Sequence, residues 1–383
     1  MNAFHTPLGG FTKTEFERYS RQLVLPEIGP DGQRKLKNAK VVIIGAGGLG
    51  IPSSAYLAAA GVGTIGIVDH DSVERSNLHR QILYSENDLG RLKSEVAAER
   101  LHTINPNIDI EPFAVKLDSS NALELLRPFD IVLDCTDNFP SRYLINDACV
   151  LLHKPDVYAS VFRFDGQATV FDADKGPCYR CLYPDPPPPD AVQDCATAGV
   201  LGVLPGILGS IQAVQAIVIV TSGRTLTGRL LLMDASDMTF NELKIKKSPS
   251  CPACGTDKRI TRLIDYEQFC GTRRGPVRSE QLSPRKLKQM IDSGKEITLL
   301  DVREPFEFSF CHLEHSTLIP LGVLPARFEE LDPKSEIVVY CHTGIRSATA
   351  VEFLVSKGFI KARNLSGGIA AWAEEVDPDM PRY

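Results

Sequence analysis

The stretch Val41-Val42-Ile43-Ile44-Gly45-Ala46-Gly47-Gly48-Leu49-Gly50 decides the fold. Its four apolar residues read as a buried strand, and residues 51–60 read as the helix that follows. Between them Gly45, Gly47 and Gly50 stand in G-x-G-x-x-G spacing, with Gly48 beside them. Glycine lets the backbone turn tightly and lie against a phosphate, and the helix N-terminus offers unpaired N–H groups to negative charge. A second strand, Thr64–Val68, runs into Asp69, 19 residues beyond Gly50, where such a unit places a carboxylate on a ribose hydroxyl. Strand, turn, helix and acid together predict an α/β, Rossmann-like unit with a nucleotide site.

The 383 residues suffice for two domains. A composition of 43% apolar and 23% charged residues is that of a soluble globular protein. The net charge of −6 argues against nucleic-acid or membrane electrostatics. Residues 1–10 lack the basic-then-apolar pattern of a signal peptide. The run 200–220 is apolar enough to suggest a membrane span, but it contains Pro205, Gly202, Gly206, Gly209, Gln212 and Gln215, which fit a buried loop and helix better. Ten cysteines without an export signal point to a reducing, cytoplasmic setting, where they serve as metal ligands, nucleophiles or core residues.

Thr14 and Glu17 have the spacing of a capping box opening a helix that carries Arg18 and Arg21. Taken alone, this is a solvated amphipathic helix. The polar segment 71–81, with Ser76, Asn77, Leu78, His79 and Arg80, falls at the ligand-binding edge of the sheet. Arg80 and Lys93 are placed to meet a triphosphate as a planar fork and a point charge, although a surface loop with ordinary charges fits the same residues. The strand Ile131–Asp134 runs into Cys135-Thr136-Asp137-Asn138. There Asp137 is placed to hold Mg²⁺, and Asp137 or Asn138 to cap the helix starting near Pro140.

Cys178-x-x-Cys181 and Cys251-x-x-Cys254 supply four thiolates for a tetrahedral Zn²⁺ that clips distant segments together, with a pair of redox switches as the alternative. The proline run 184–190 predicts an exposed crossover leading to Cys195, which reads either as a small buried residue or as a reactive thiol near a helix start. Residues 249–284 are charged and aperiodic and read as a boundary.

The last hundred residues form a second α/β unit. A helix starts at Ser283-Pro284, and a strand near 297–300 ends in Asp301-Val302-Arg303-Glu304. The strand Ile337–Tyr340 runs into Cys341-His342-Thr343-Gly344-Ile345-Arg346-Ser347. A cysteine in a strand-to-helix loop meets inward N–H groups and a helix N-terminus, and Arg346 adds a formal charge. This setting makes Cys341 the best nucleophile candidate, able to carry a persulfide. A cysteine phosphatase loop uses the same physics but has one residue more between cysteine and arginine.

Residues 12–255 resemble the molybdopterin-synthase and thiamine-carrier adenylyltransferases, relatives of ubiquitin-activating enzymes. The resemblance rests on Arg18-Tyr19-Ser20-Arg21-Gln22, Gly45 to Gly50, Asp69, Ser76-Asn77-Leu78-His79-Arg80-Gln81, Lys93, Cys135-Thr136-Asp137-Asn138 and the two cysteine pairs. Residues 280–378 resemble a rhodanese domain through Asp301-Val302-Arg303-Glu304, the Cys341 loop and Gly367-Gly368-Ile369-Ala370-Ala371-Trp372. They depart from the usual pattern at Cys311-His312-Leu313 and His315-Ser316. The boundaries are then an adenylating domain over 1–256, a linker over 257–282 and a rhodanese-like domain over 283–383.

The resemblance implies ATP, with Gly48 and Asp69 near the adenosine, Arg80 and Lys93 on the phosphates, Asp137 on Mg²⁺, and Arg21 reaching the ATP site of a second subunit in a homodimer. It implies adenylation of the C-terminal glycine of a small ubiquitin-fold carrier ending in Gly-Gly. Cys341 would then take sulfur from a donor such as a cysteine desulfurase or thiosulfate, and Cys195 would assist its transfer to give a thiocarboxylate. Molybdenum cofactor synthesis is the default pathway. A nicotinamide-dependent oxidoreductase would use the same glycine turn, but leaves Arg80, Lys93, the cysteine pairs and the second unit without a role. A non-catalytic rhodanese-like scaffold remains the other alternative.

Overall fold

The structure, a computed structural model, describes residues 10–187, 199–221, 223–271 and 281–382. Its contacts divide the chain into two compact units, Met1–Arg273 and Arg274–Tyr383.

The first unit opens with helices α1 (Lys13–Leu23) and α2 (Gly29–Asn38). A Rossmann-like run follows: β1 (Lys40–Ile44), α3 (Gly50–Ala60), β2 (Thr64–Val68), α4 (Lys93–Ile104), β3 (Asp109–Phe113), α5 (Ala122–Leu126), β4 (Ile131–Asp134), α6 (Phe139–Leu152) and β5 (Asp156–Phe162). Next come β6 (Asp165–Phe171), the short α7 (Tyr179–Leu182), the long α8 (Val203–Thr221), β7 (Arg229–Asp234), β8 (Thr239–Lys244) and α9 (Tyr266–Phe269). The eight strands lie in the order β3-β2-β1-β4-β5-β6-β7-β8. Pairing is parallel from β3 to β5 and antiparallel from β5 to β8.

β1 sits at the centre of the parallel half, and its Val41, Val42 and Ile43 are fully buried. Both faces are covered, so the strand reads as a continuous apolar run rather than an alternating one. Each such side chain contributes about 1.5–3 kcal/mol of hydrophobic burial. α3 and α8 cover one face. α8 has the length and hydropathy to cross a membrane, yet it packs Leu204, Leu208, Ala213 and Ala216 into the core. Its buried Gln212 donates to the carbonyls of Asp134 and Val157, both at 2.8 Å, which pins the helix across β4 and β5. α6 covers the other face, with Asn138 accepting from Ser141 N at 3.0 Å as its N-cap.

Two local expectations change. The capping box of α1 is Thr12 with Glu15, not Thr14 with Glu17. Both pairs have the spacing, but Glu15 is buried and pairs with Lys37 at 2.7 Å, which selects it. The segment 257–271, expected as linker, belongs to the first unit. Tyr266 and Cys270 are buried in the cluster under α6, and the Tyr266 hydroxyl donates to Asp147 Oδ2 at 2.7 Å.

The second unit runs β9 (Gln281–Leu282), α10 (Pro284–Asp292), β10 (Thr298–Asp301), α11 (Pro305–Phe310), β11 (Thr317–Leu318), α12 (Leu324–Arg327), β12 (Ile337–Tyr340), α13 (Ile345–Ser356), β13 (Ala362–Leu365) and α14 (Gly368–Glu375). Its five-stranded sheet, β11-β10-β12-β13-β9, is parallel throughout.

Candidate active site

The turn after β1 begins at Gly45, whose φ of 97° favours glycine. A Cβ there would lie 2.9 Å from the Cys135 carbonyl, so the turn is pressed against the end of β4. Gly50 lies against the carbonyl of Gly45 with no room for a side chain, which brings the start of α3 onto the turn. Asp69 ties β2 to the same turn. Its Oδ2 accepts from Ala46 N and its Oδ1 from Asp71 N, both at 2.8 Å. Burial raises its pKa above the ordinary carboxylate value, and the bond from Asp71 N opposes the rise. Each carboxylate oxygen keeps a second lone pair, the acceptor capacity a ribose hydroxyl needs.

The 71–81 segment wraps this turn. Asn77 and Gln81 are buried, yet Asn77 Oδ1 and Gln81 Oε1 have no hydrogen-bond partner among the described residues. Gln81 Nε2 lies 3.7 Å from where a Gly47 Cβ would stand, so an orphaned acceptor group adjoins the glycine turn. A buried acceptor left without a donor costs about 1–3 kcal/mol, a cost that a ligand donor removes. Arg80 Nη1 donates to the Ser76 carbonyl at 3.0 Å and lies 2.7 Å from His79 Nε2. Burial, then Arg80, holds His79 below its ordinary pKa, which leaves its ring able to accept. Arg80 Cδ stands 3.5 Å from the Cβ position of Gly48, and Pro205 closes over the same glycine. Leu78 is half-buried against the core.

Lys93, at the first turn of α4, is buried, and its ammonium pairs with Asp71 Oδ2 at 3.0 Å. Tyr84 is a member the sequence reading missed. Its hydroxyl lies within hydrogen-bond distance of the Ala46 carbonyl (2.9 Å) and the Lys93 carbonyl (3.1 Å), joining the glycine turn to α4. Only its place inside the polar segment's end hinted at this role. Asp137 and Asn138 are exposed beyond β4. The turn between them and β4 is shaped by buried Asp134, whose Oδ1 accepts from Thr136 N at 2.9 Å and from Thr136 Oγ1 at 2.6 Å. Arg18 caps the end of α4 through the Ile104 carbonyl at 2.9 Å. Arg21 is exposed and has no hydrogen bond or ion pair among the described residues. Cys195 lies outside the described residues.

The four cysteines of the two pairs come together. Cys178 and Cys251 sulfurs stand 3.5 Å apart, Cys181 and Cys254 3.4 Å, and Cys178 and Cys181 3.9 Å. A tetrahedral zinc with bonds of about 2.3 Å requires ligand sulfurs spaced by about 3.8 Å. The donor set therefore fits Zn²⁺.

In the second unit Cys341 ends β12 and is 1% exposed. Its sulfur accepts from Gly344 N at 3.1 Å and lies 3.3 Å from Ser347 Oγ, ahead of α13. The Gly367-Gly368 turn seats α14 on this loop: Ile369 N donates to the Cys341 carbonyl at 2.8 Å and Ala370 N to the His342 carbonyl at 3.0 Å. Arg346, expected to lend its charge to the sulfur, instead forks onto Glu307, Nη1 to Oε2 and Nη2 to Oε1, both at 2.7 Å. The departure at 311–316 folds into a defined turn. Arg303 Nη2 donates to the Cys311 carbonyl at 2.7 Å, the Tyr340 hydroxyl joins Leu313 N and Ser316 Oγ, and His315 takes a φ of 61°.

These two sites match known families. Residues 19–253 match the ThiF family, and residues 283–375 match the rhodanese-like domain. "Probable adenylyltransferase/sulfurtransferase MoeZ" of Mycobacterium tuberculosis is 45% identical over 98% of this chain and 97% of its own length. "Adenylyltransferase and sulfurtransferase MOCS3" of Drosophila sechellia is 44% identical over 100% of this chain and 87% of its own. Among solved structures, E. coli MccB with ATP superposes with a TM-score of 0.56 at 25% identity, over 62% of this chain and 74% of that one. The chain belongs to the ThiF family and carries a rhodanese-like domain behind the ThiF unit. It is an adenylyltransferase and sulfurtransferase, activating a sulfur-carrier protein at the first site and transferring sulfur from the second.

Proposed function

We propose that the first unit binds MgATP across the Gly45–Gly50 turn and adenylates the C-terminal glycine of a small ubiquitin-fold carrier ending in Gly-Gly, and that Cys341 then delivers sulfur as a persulfide. The observation that carries the nucleotide reading is the pair of orphaned buried acceptors, Asn77 Oδ1 and Gln81 Oε1, beside a turn too tight for any side chain. In this reading Asp69 accepts from the ribose, and Arg80 and Lys93 receive the phosphates, Lys93 by exchanging Asp71 for a phosphate oxygen. Arg21, exposed and unpartnered within the described chain, supports a homodimer in which it reaches the second subunit's nucleotide. Asp137 would hold Mg²⁺, which supplies charge neutralisation at the phosphates. Cys178, Cys181, Cys251 and Cys254 would hold a structural zinc.

The chemistry follows from leaving groups. A carboxylate is a poor acyl donor, because it would have to expel oxide. Its oxygen attacks the α-phosphorus of ATP, pyrophosphate leaves, and AMP becomes the leaving group of the acyl-adenylate. The carboxylate is already ionised at neutral pH, so no general base is needed. Arg80, Lys93 and the second subunit's arginine neutralise charge gathering on the phosphates, where such sites gain most of their rate. The terminal sulfur of the Cys341 persulfide attacks the acyl carbonyl and AMP departs, leaving a carrier–CO–S–S–Cys341 link. A second thiol, assigned to Cys195, attacks the Cys341 sulfur and releases the carrier thiocarboxylate. The disulfide left behind is reduced by a small thiol.

The test is exchange of labelled pyrophosphate into ATP with a Gly-Gly-ending carrier. The expected result is carrier-dependent exchange, lost in Asp137→Ala and retained in Cys341→Ala, with thiocarboxylate lost in Cys341→Ala. Carrier-independent exchange, or none with any carrier, sinks the reading. The molybdopterin carrier is the first to try, and the cytoplasm is the compartment this chemistry suits.

A further inference from the structure

We propose that Glu307 selects the sulfur donor of Cys341: by cancelling the charge of Arg346 it favours an alkyl persulfide, R–S–SH, over the thiosulfate dianion. The proposal rests on the reading of Cys341 as the persulfide carrier.

Arg346 stands in the first turn of α13, five residues past Cys341, where a free guanidinium would draw anions to the loop. It is not free. Both its terminal nitrogens meet both oxygens of Glu307 at 2.7 Å, the two-bonded arrangement that fixes a guanidinium most firmly. Glu307 is 1% exposed, and Glu304 N donates to its Oε2 at 2.9 Å, so α11 fixes the carboxylate in place. The pair carries no net charge. What remains to attract an anion at the sulfur is dipolar: the Gly344 N–H, the Ser347 hydroxyl and the start of α13. The residues that flank the pair in sequence are apolar and exposed. Ile345, ahead of Arg346, is 65% exposed, and Phe306 and Phe310, on either side of Glu307 in α11, are 49% and 58% exposed. Half-buried Glu304 adds a negative charge to the same helix start.

The two donor classes differ in charge and not in the sulfur they give. With thiosulfate, the Cys341 thiolate attacks the outer sulfur, the S–S bond breaks and sulfite leaves with the electron pair. With an alkyl persulfide, the thiolate attacks the terminal sulfur, R–S⁻ leaves with the electron pair, and the proton stays on the new Cys341–S–SH. In both cases the sulfur transferred keeps its oxidation state. Thiosulfate must give up the hydration of two charges at a mouth with no net cation, whereas the persulfide brings one charge at most. Glu307 touches neither donor and acts through Arg346, as a positioning residue that sets specificity.

The experiment measures Cys341 loading of the full chain by thiosulfate, read as sulfite release, and by cysteine persulfide, read as cysteine release. Wild type is expected to load from the persulfide with the higher kcat/KM. Glu307→Gln keeps the shape and frees the charge of Arg346, so thiosulfate kcat/KM should rise about tenfold at low salt, the scale of electrostatic steering, while the persulfide value moves little. The gain should fade as salt screens the charge. Arg346→Gln should shift the donor ratio the opposite way, because it leaves Glu307 uncompensated, and it stands in should Glu307→Gln fail to fold. Carrier-dependent pyrophosphate exchange reports that the first unit is intact. Equal losses with both donors, or an unchanged ratio in both variants, would overturn the proposal and leave Glu307 a structural clamp. Loading of wild type by neither donor would overturn the persulfide reading and the proposal together.

Discussion

Arg180 and Asp147 form a fully buried, two-bonded ion pair, Nε to Oδ1 and Nη2 to Oδ2, both at 2.8 Å. Arg180 lies inside the first cysteine pair, and Asp147 lies on α6, the helix that begins just past Asp137. The guanidinium also lies 4.7 Å from the ring centre of Tyr143 and 4.6 Å from that of Phe269. Asp147 Oδ2 takes the Tyr266 hydroxyl as well, so one carboxylate gathers the metal knuckle, α6 and α9. Arg180→Met strips Asp147 of its countercharge and should cost about 3–5 kcal/mol in urea unfolding. Restoring neutrality with Asp147→Asn in the same chain should recover part of that loss. A cost below about 1 kcal/mol would mean that Asp147 finds another partner.

Metal loss should act on the same region. The purified chain is expected to hold about one zinc, the content of a four-thiolate structural site. Cys254→Ser should lower the content and speed hydrogen exchange over residues 245–271 ahead of the rest of the first unit. Full thermal stability after complete chelation would remove the zinc assignment.

Lys93 must leave Asp71 to meet a phosphate. Lys93→Ala should reduce kcat/KM for ATP in pyrophosphate exchange about 100-fold, the scale for losing one group that stabilises transition-state charge. Asp71→Asn releases the ammonium and should lower KM for ATP. A change within threefold for Lys93→Ala would make the ion pair purely structural.

Much of this was legible in the sequence because the evidence for it is local. The apolar run into Gly45–Gly50 carries the strand, the turn and the helix within twenty residues, and the Cys341 loop is equally compact. What escaped depends on partners far along the chain. Residues 257–271 read as linker because their charge is visible, whereas the acceptor for Tyr266 stands 119 residues away on α6. Arg346 read as a bare charge because Glu307 is 39 residues upstream. Thr12 and Thr14 both satisfy the capping-box spacing, and Lys37 on α2 decides between them.

Asp156 and Asp134 supply a pH prediction. Both are buried in the sheet, and Asp156 Oδ1 and Asp134 Oδ2 have no hydrogen-bond partner among the described residues. Burial, then the charge of Asp134, raises the pKa of Asp156 well above the ordinary carboxylate value. A carboxyl raised on folding stays protonated where the unfolded chain ionises, so stability is lost as pH climbs from about 3.9 toward the folded value. Asp156→Asn removes this loss. The variant should exceed wild type in thermal midpoint at pH 8, and the margin should shrink toward pH 4. A margin independent of pH would mean that Asp156 does not titrate over this range.

The burial of Cys341 bears on what becomes of the sulfur between reactions. A persulfide at the surface is readily stripped by any passing thiol and lost as sulfide. At 1% exposure, behind the Gly344 N–H and under the first turn of α14, a bound sulfur atom is screened from such scavengers until the loop opens to the acyl-adenylate. The domain then works as custody as much as delivery, and its economy is measurable as sulfide leaked per thiocarboxylate made.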